Sequence, residues 1–212
     1  MQVPLLIAYA SAASVFIPLI WITYTWQYRD QKIRYLFYLL IASLLSDLIG
    51  LILFKLSLNT YIIVNFFLLI QFMICYQLLT EEKNQSASVR IIPIGFLLIF
   101  VVNYFFIQSP GVFNSYSNSI ACLILMFFSV RYFYTLLRDL PEVHIMRIPL
   151  FWIAVGVLTY YSGNLLLFIV NNYLTIGNNG SHPVMWILHN ILNFSKNILF
   201  TIAIWQNYRK RK

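Results

Sequence analysis

An all-α polytopic bundle of seven transmembrane helices, in a single domain spanning 1–212, is the fold this chain predicts. Three observations carry that expectation. The chain is 61% hydrophobic and only 9% charged, whereas a soluble domain carries about 25% charged residues. Seven apolar runs of about 17–24 residues follow one another, each near the length a helix needs to cross a hydrocarbon core. The basic residues collect in alternate connections between those runs, as topology signals do.

The first run, Val3–Trp26, has no basic stretch before it, and its Ala8-Tyr9-Ala10 follows too short an apolar segment for cleavage. It reads as a retained helix rather than a removed signal peptide. The second, Tyr35–Phe54, carries Ser43, Ser46, Asp47 and Gly50 at i, i+3, i+4 and i+7. Small residues on that face would let another helix approach closely. Asn65 and Gln71 lie in the third run, Tyr61–Leu79, and Asn103 in the fourth, Ile91–Ile107. The fifth, Ile120–Leu137 with a possible start near Tyr116, bears Arg131, whose long stem suits snorkelling to headgroups. The sixth, Leu150–Val170, presents Tyr160, Tyr161, Ser162 and Asn164, with Asn171 and Asn172 just beyond it. Gly156 and Gly163 mark its close-packing face.

The seventh run, Pro183–Trp205, is the most informative. On a helical wheel Trp186, His189, Asn190, Asn193, Lys196 and Asn197 share an arc of about 120°. Lipid offers such a stripe no partners, so it must face the bundle interior. Interhelical glue would account for the asparagines and the histidine. Lys196 asks for more, because a cation at membrane depth costs roughly 2.5–3.5 kcal/mol on insertion scales. Asp47 lies about 18 Å and Lys196 about 14 Å from the same end of their helices at 1.5 Å per residue. The shared depth leads us to expect that the two are mutual partners, directly or through a water or an asparagine such as Asn193.

Arg29, Lys32, Arg34, Lys83, Arg90, Arg138, Arg147 and the tail Arg209–Lys212 all fall on one side, eleven of fourteen basic residues. The opposite connections, 108–118 and 171–182, carry no Lys or Arg, and only Lys55 leans the other way. The positive-inside rule then places the N-terminus outside and the C-terminus in the cytoplasm, with a bacterial inner membrane as the expected location. Trp21, Trp26, Trp152 and Trp205 toward one end, with Trp186 toward the other, read as an interfacial belt. The net charge of +8 is explained by this arrangement, so no nucleic-acid partner is expected. Cys75 and Cys122 fall inside apolar runs and read as small hydrophobes, without metal-ligand spacing.

The seven-helix plan with a lysine in the last helix resembles the microbial rhodopsins, whose lysine holds retinal as a Schiff base. Leu192 stands where that family has an aspartate one turn before the lysine, and Asn65–Gln71 lacks its carboxylates. Retinal is not expected. The plan also resembles sugar transporters built as three helices, a linker helix and three more. Asn65 and Gln71 match the spacing of Asn190 and Lys196, and Ser46-Asp47 corresponds to Ser162-Gly163-Asn164. That family's Pro-Gln signature is absent, since Leu19 follows Pro18 and the fifth run has no proline. His189 and Asn193 fit an H-x-x-x-N element seen in membrane-embedded CAAX-type proteases, but Glu81-Glu82 is followed by Ser86 where that family needs arginine. Tyr160-Tyr161-Ser162-Gly163 lacks the first glycine of a rhomboid-like nucleophile motif. The stretches 151–168 and 190–205 resemble uncharacterised seven-helix membrane proteins of Bacteroidetes-type bacteria, a likeness that implies no activity.

Two function classes follow. One is a non-enzymatic sensor or receptor-like module, with a polar intramembrane centre formed by Asp47, Lys196, His189, Asn193, Asn190, Asn164, Tyr160, Asn65 and Gln71. Such a module would bind a small ligand or proton and contact a cytoplasmic or membrane signalling protein. The other is a small-solute or proton-coupled transporter, a reading weakened by the lack of paired helix breaks in the sequence. An intramembrane hydrolase ranks below both, and neither cofactor nor metal is called for.

Overall fold

The computed structural model describes residues 2–80, 87–140, 144–177 and 183–212, with side chains at 6–80, 89–140, 144–169 and 186–212. Helices form throughout, with no strand among the described residues. Seven of the spans are long and apolar enough to cross a membrane: Leu6–Tyr24, Gln31–Lys55, Tyr61–Leu79, Val89–Ile107, Ser115–Asp139, Pro149–Ile169 and Trp186–Arg211.

The first span is broken. Helices α1 (Gln2–Ser14) and α2 (Phe16–Tyr24) meet at Val15, which keeps helical dihedrals (φ −65°, ψ −25°). The cause is Pro18, which has no N–H to give the Ser14 carbonyl and whose ring crowds it. Helical bonding resumes with Leu19 N–H to the Val15 carbonyl at 3.3 Å. A 3₁₀ turn, Trp26–Tyr28, follows. Asp30 then caps α3 (Gln31–Lys55), its carboxylate accepting from Ile33 N–H at 2.8 Å. This cap explains why α3 starts a turn before the apolar run does. At its far end Ser57 takes a left-handed conformation, φ 56°. Leu58 N–H reaches the Leu53 carbonyl and Ser57 N–H the Phe54 carbonyl, a Schellman closure that consumes two of the helix's terminal acceptors.

Helix α4 (Tyr61–Leu79) has the bounds its apolar run predicts. The Lys32 ammonium donates to the Gln77 and Thr80 carbonyls at 2.9 and 2.7 Å, placing a cation on the negative end of α4. Helix α5 (Ala87–Val102) passes into a π-helical turn, Asn103–Ile107, closed by Gln108 N–H to the Asn103 carbonyl at 2.7 Å. Helices α6 (Ser115–Asp139), α7 (Pro149–Gly177) and α8 (Pro183–Arg211) all outrun their apolar segments. Polar residues extend a helix readily once it leaves the hydrocarbon, so hydropathy alone underestimates these lengths.

Helix α8 lies between α7 and the α1–α2 pair, α7 between α8 and α6, and α3 against α4. Contacts of α4 with α6 and α7 fill the middle, while α5 sits outside against α4 and α6. Phe72, Cys75, Tyr76, Leu125, Ile153, Val157, Tyr161 and Phe200 form the buried centre. Between helices in lipid, close packing replaces the hydrophobic drive. Gly163 is one such approach: a Cβ there would lie 2.5 Å from Leu192 Cδ1, and one at Gly156 would lie 3.1 Å from the Phe200 ring. The expectation for Gly50 fails, because nothing lies within 4 Å of a Cβ built on it.

Candidate functional site: a buried lysine among tyrosine, thiol and amide

The polar stripe of α8 divides between two neighbours. Seven residues turn a helix almost fully back on itself, so His189 and Lys196 share one line. Asn193 and Asn197, one turn apart, share another. The first line faces α7 and the second faces α1.

On the α1 side, the Asn193 amide donates to Ser11 Oγ at 3.0 Å and the Asn197 amide to Ser14 Oγ at 2.7 Å. Ser11, Ser14 and Asn197 are all buried. Ser14 Oγ donates in turn to the Ser11 carbonyl at 2.6 Å. These bonds fasten the break in the first span to α8. Ser11 and Ser14 were absent from the sequence-derived set, although their three-residue spacing complements the four-residue spacing of the asparagines.

On the α7 side, His189 Nδ1 lies 2.8 Å from Asn164 Oδ1, and the Asn164 amide donates to the Tyr160 carbonyl at 2.7 Å. The imidazole is enclosed by the rings of Tyr160, Phe168 and Trp186, with centroids at 5.7, 6.4 and 5.5 Å. His189 and Asn193, the pair suggested by the H-x-x-x-N pattern, therefore face different helices. Among the described residues no hydroxyl or thiol bonds to His189.

Lys196 is 5% exposed, and its ammonium lies 4.2 Å from the centroid of the Tyr160 ring. A desolvated cation over an aromatic face gains about 2 kcal/mol or more. Among the described residues it makes no hydrogen bond, and no carboxylate comes within 4 Å of it. Of the expected arrangements with Asp47, a direct ion pair is not formed, and a bridge through a water or an asparagine stays open. Asp47 is half-buried on α3, and its carboxyl and the buried Cys75 thiol of α4 are titratable groups in the electrostatic surroundings of the ammonium. The Cys75 thiol in turn meets the Tyr161 hydroxyl at 4.0 Å.

Gln71, one turn before Cys75 on α4, is fully buried; its amide lies against the Tyr160 hydroxyl, and neither its oxygen nor its nitrogen completes a well-formed hydrogen bond among the described residues. A buried polar group left this way costs about 1–3 kcal/mol. Gln71, Cys75, Tyr160, Tyr161 and Lys196 thus make a centre with polar capacity to spare, since an ammonium offers three donors and an amide two donors and an acceptor.

Asn65 does not belong to this centre. Its amide donates to the Val112 carbonyl at 2.9 Å and accepts from Asn114 N–H at 3.0 Å, which anchors the connection before α6. Asn103 bonds to Gln108, Asn114 and Ser117 at the same end of the bundle. Six residues separate Asn65 from Gln71, about 9 Å along a helix, enough to put them in different networks. Asn190 is half-buried without a hydrogen bond to a described residue. Arg131 is exposed, as a snorkelling side chain would be. The side chains of Asn171 and Asn172, and Lys83 and Glu81-Glu82, lie outside the described residues. No family model, no curated protein and no solved structure matches this chain.

Proposed function

We propose that the protein is a non-enzymatic, multi-pass membrane sensor whose responsive element is the centre around Lys196. One observation carries this reading: a buried ammonium with no hydrogen bond among the described residues lies over the ring of Tyr160, whose hydroxyl neighbours a buried amide that completes no well-formed hydrogen bond. Both deficits would be relieved together by one small molecule bearing an anionic or carbonyl oxygen. Binding there would change the fit between α8 and its neighbours α1 and α7, and the basic end of α8 would carry that change toward a cytoplasmic or membrane partner. The alternation of basic connections supports an N-terminus outside and a C-terminus in the cytoplasm, in a bacterial inner membrane.

A second reading is favoured by a specific feature. The break at Val15 lies where the first span meets the polar stripe of α8, and interrupted helices beside a charged centre suit a small-solute transporter. The sequence offered no sign of it, because a single proline does not by itself reveal a hinge.

Cryo-electron microscopy of the protein in lipid nanodiscs, paired with proteoliposome flux, tests both. Non-protein density joining Lys196 and Gln71, without flux of small carboxylates, is the expected result. Flux that ends with Lys196→Met would establish the transporter instead. A Gln71 amide bonded directly to protein, with no density at the centre, would sink both readings.

A further inference from the structure

At the basic end of the bundle the 3₁₀ turn Ile145–Arg147 and the last turns of α8 enclose a cleft of about 920 Å³. His144, Ile145, Met146, Arg147, Trp205 and Arg209 line it together with Gln206 and Lys210, and among the described residues no carboxylate does. Its walls are braced. The Trp152 indole N–H donates to the Met146 carbonyl at 2.8 Å, and Arg147 N–H to the His144 carbonyl at 2.9 Å. The Arg209 guanidinium lies 4.8 Å from the centroid of the Trp205 ring. Arg211 is turned elsewhere, toward Asp30 at 3.8 Å.

The apolar part of this lining is exposed: Met146 at 65% and Trp205 at 40%. Both cluster where the apolar spans end. A free phosphate or a nucleotide would use the cations and leave Met146 and Ile145 in water. A phospholipid uses both, with its phosphate among the cations and its glycerol and upper acyl carbons against Met146, Ile145 and Trp205.

We propose that this cleft is a binding site for the headgroup phosphate of an anionic phospholipid. The site binds one lipid from the leaflet at the basic end, and does so independently of any ligand at Lys196. Arg147 and Arg209 hold the phosphate, and Trp205 fixes the depth at which it sits.

Native mass spectrometry of the purified full chain, exchanged into mixed phosphatidylglycerol and phosphatidylcholine, tests the assignment. Phosphatidylglycerol should be retained in preference. Each of Arg147→Gln and Arg209→Gln should weaken that retention about fivefold, as the loss of one cation near an anionic surface implies. The Arg147→Lys and Arg209→Lys variants should restore most of it, and Lys55→Gln at the opposite end should change nothing. Equal retention of the two lipids, or undiminished retention by both Gln variants, would overturn the site. Displacement of the lipid by inorganic phosphate at comparable concentration would reassign it to a free anion. An acidic peptide that binds in phosphatidylcholine alone, where phosphatidylglycerol does not, would reassign it to a protein partner. Circular-dichroism melting separates misfolded variants from those that have lost only the site.

Discussion

The Lys196 ammonium rests 4.2 Å from the centre of the Tyr160 ring, with no carboxylate in ion-pair range among the described residues. An aromatic face returns about 2 kcal/mol against an insertion cost of roughly 2.5–3.5 kcal/mol. The arrangement therefore runs at a small loss, which is the mark of a residue kept for what it does.

Lys196→Met should consequently leave the fold intact and raise its thermal stability slightly, by about 1 kcal/mol from the difference of those terms. Tyr160→Leu should cost about 2 kcal/mol in the parent and distinctly less in the Lys196→Met background. Thermal unfolding in detergent, run as a double-mutant cycle, measures this. Additive effects would remove Tyr160 as the partner. The parallel cycle with Asp47→Asn should show the weaker coupling, since those two groups act on each other only at a distance.

Gly163→Ala should destabilise by about 1–3 kcal/mol, because the new Cβ would drive into Leu192 Cδ1. Adding Leu192→Ala should recover part of the loss. Gly50→Ala, set in open space, should be neutral or gain about 0.5–1 kcal/mol from helix propensity. Equal melting shifts at the two glycines would contradict the packing of α7 on α8.

Ser14→Ala should cost about 0.6–1.7 kcal/mol, the range of interhelical hydrogen bonds in membranes, because it strands the buried Asn197 amide. Ser11→Ala should cost less, since Asn193 is half-buried and finds other partners more readily. Urea-free thermal unfolding of both variants ranks them. The reverse order would mean that Ser11, not Ser14, secures the break.

Cysteine accessibility checks the orientation. Ser109 and Lys210 are exposed at opposite ends, and the native Cys75 and Cys122 are buried. An impermeant maleimide should label Ser109→Cys in intact cells and Lys210→Cys only after permeabilisation. Labelling in the opposite pattern would invert the topology.

Hydropathy was enough to find all seven spans, because twenty apolar residues in a row admit few alternatives. It missed what depends on single polar contacts. The Asp30 cap carried α3 beyond its apolar run, and one missing N–H at Pro18 split the first span. At the site, residue type and depth placed Lys196, His189, Asn164 and Tyr160 in a wider polar set, and the structure brings Lys196 to the Tyr160 ring and His189 to Asn164. Depth could not say which way a side chain turns, so Asp47 was expected as the partner, directly or through a water or an asparagine, ahead of Tyr160. Asn65 and Gln71 looked alike in sequence, yet one both donates and accepts while the other completes no well-formed hydrogen bond among the described residues. Cys75 read as a small hydrophobe, and it does lie in the apolar core, where its thiol also meets the Tyr161 hydroxyl.

The bonds from Ser11 and Ser14 to Asn193 and Asn197 span 182 and 183 residues of chain. During synthesis α1 leaves the ribosome long before α8 exists, so its serines and the acceptor freed by Pro18 must wait in the membrane without their final partners. Until then the early helices can shift, tilt or recruit other chains. The arrival of α8 closes the ring and ends that freedom. Assembly is therefore timed by the last helix to be inserted, and a truncation that removes α8 should leave an early bundle open to quality-control proteases.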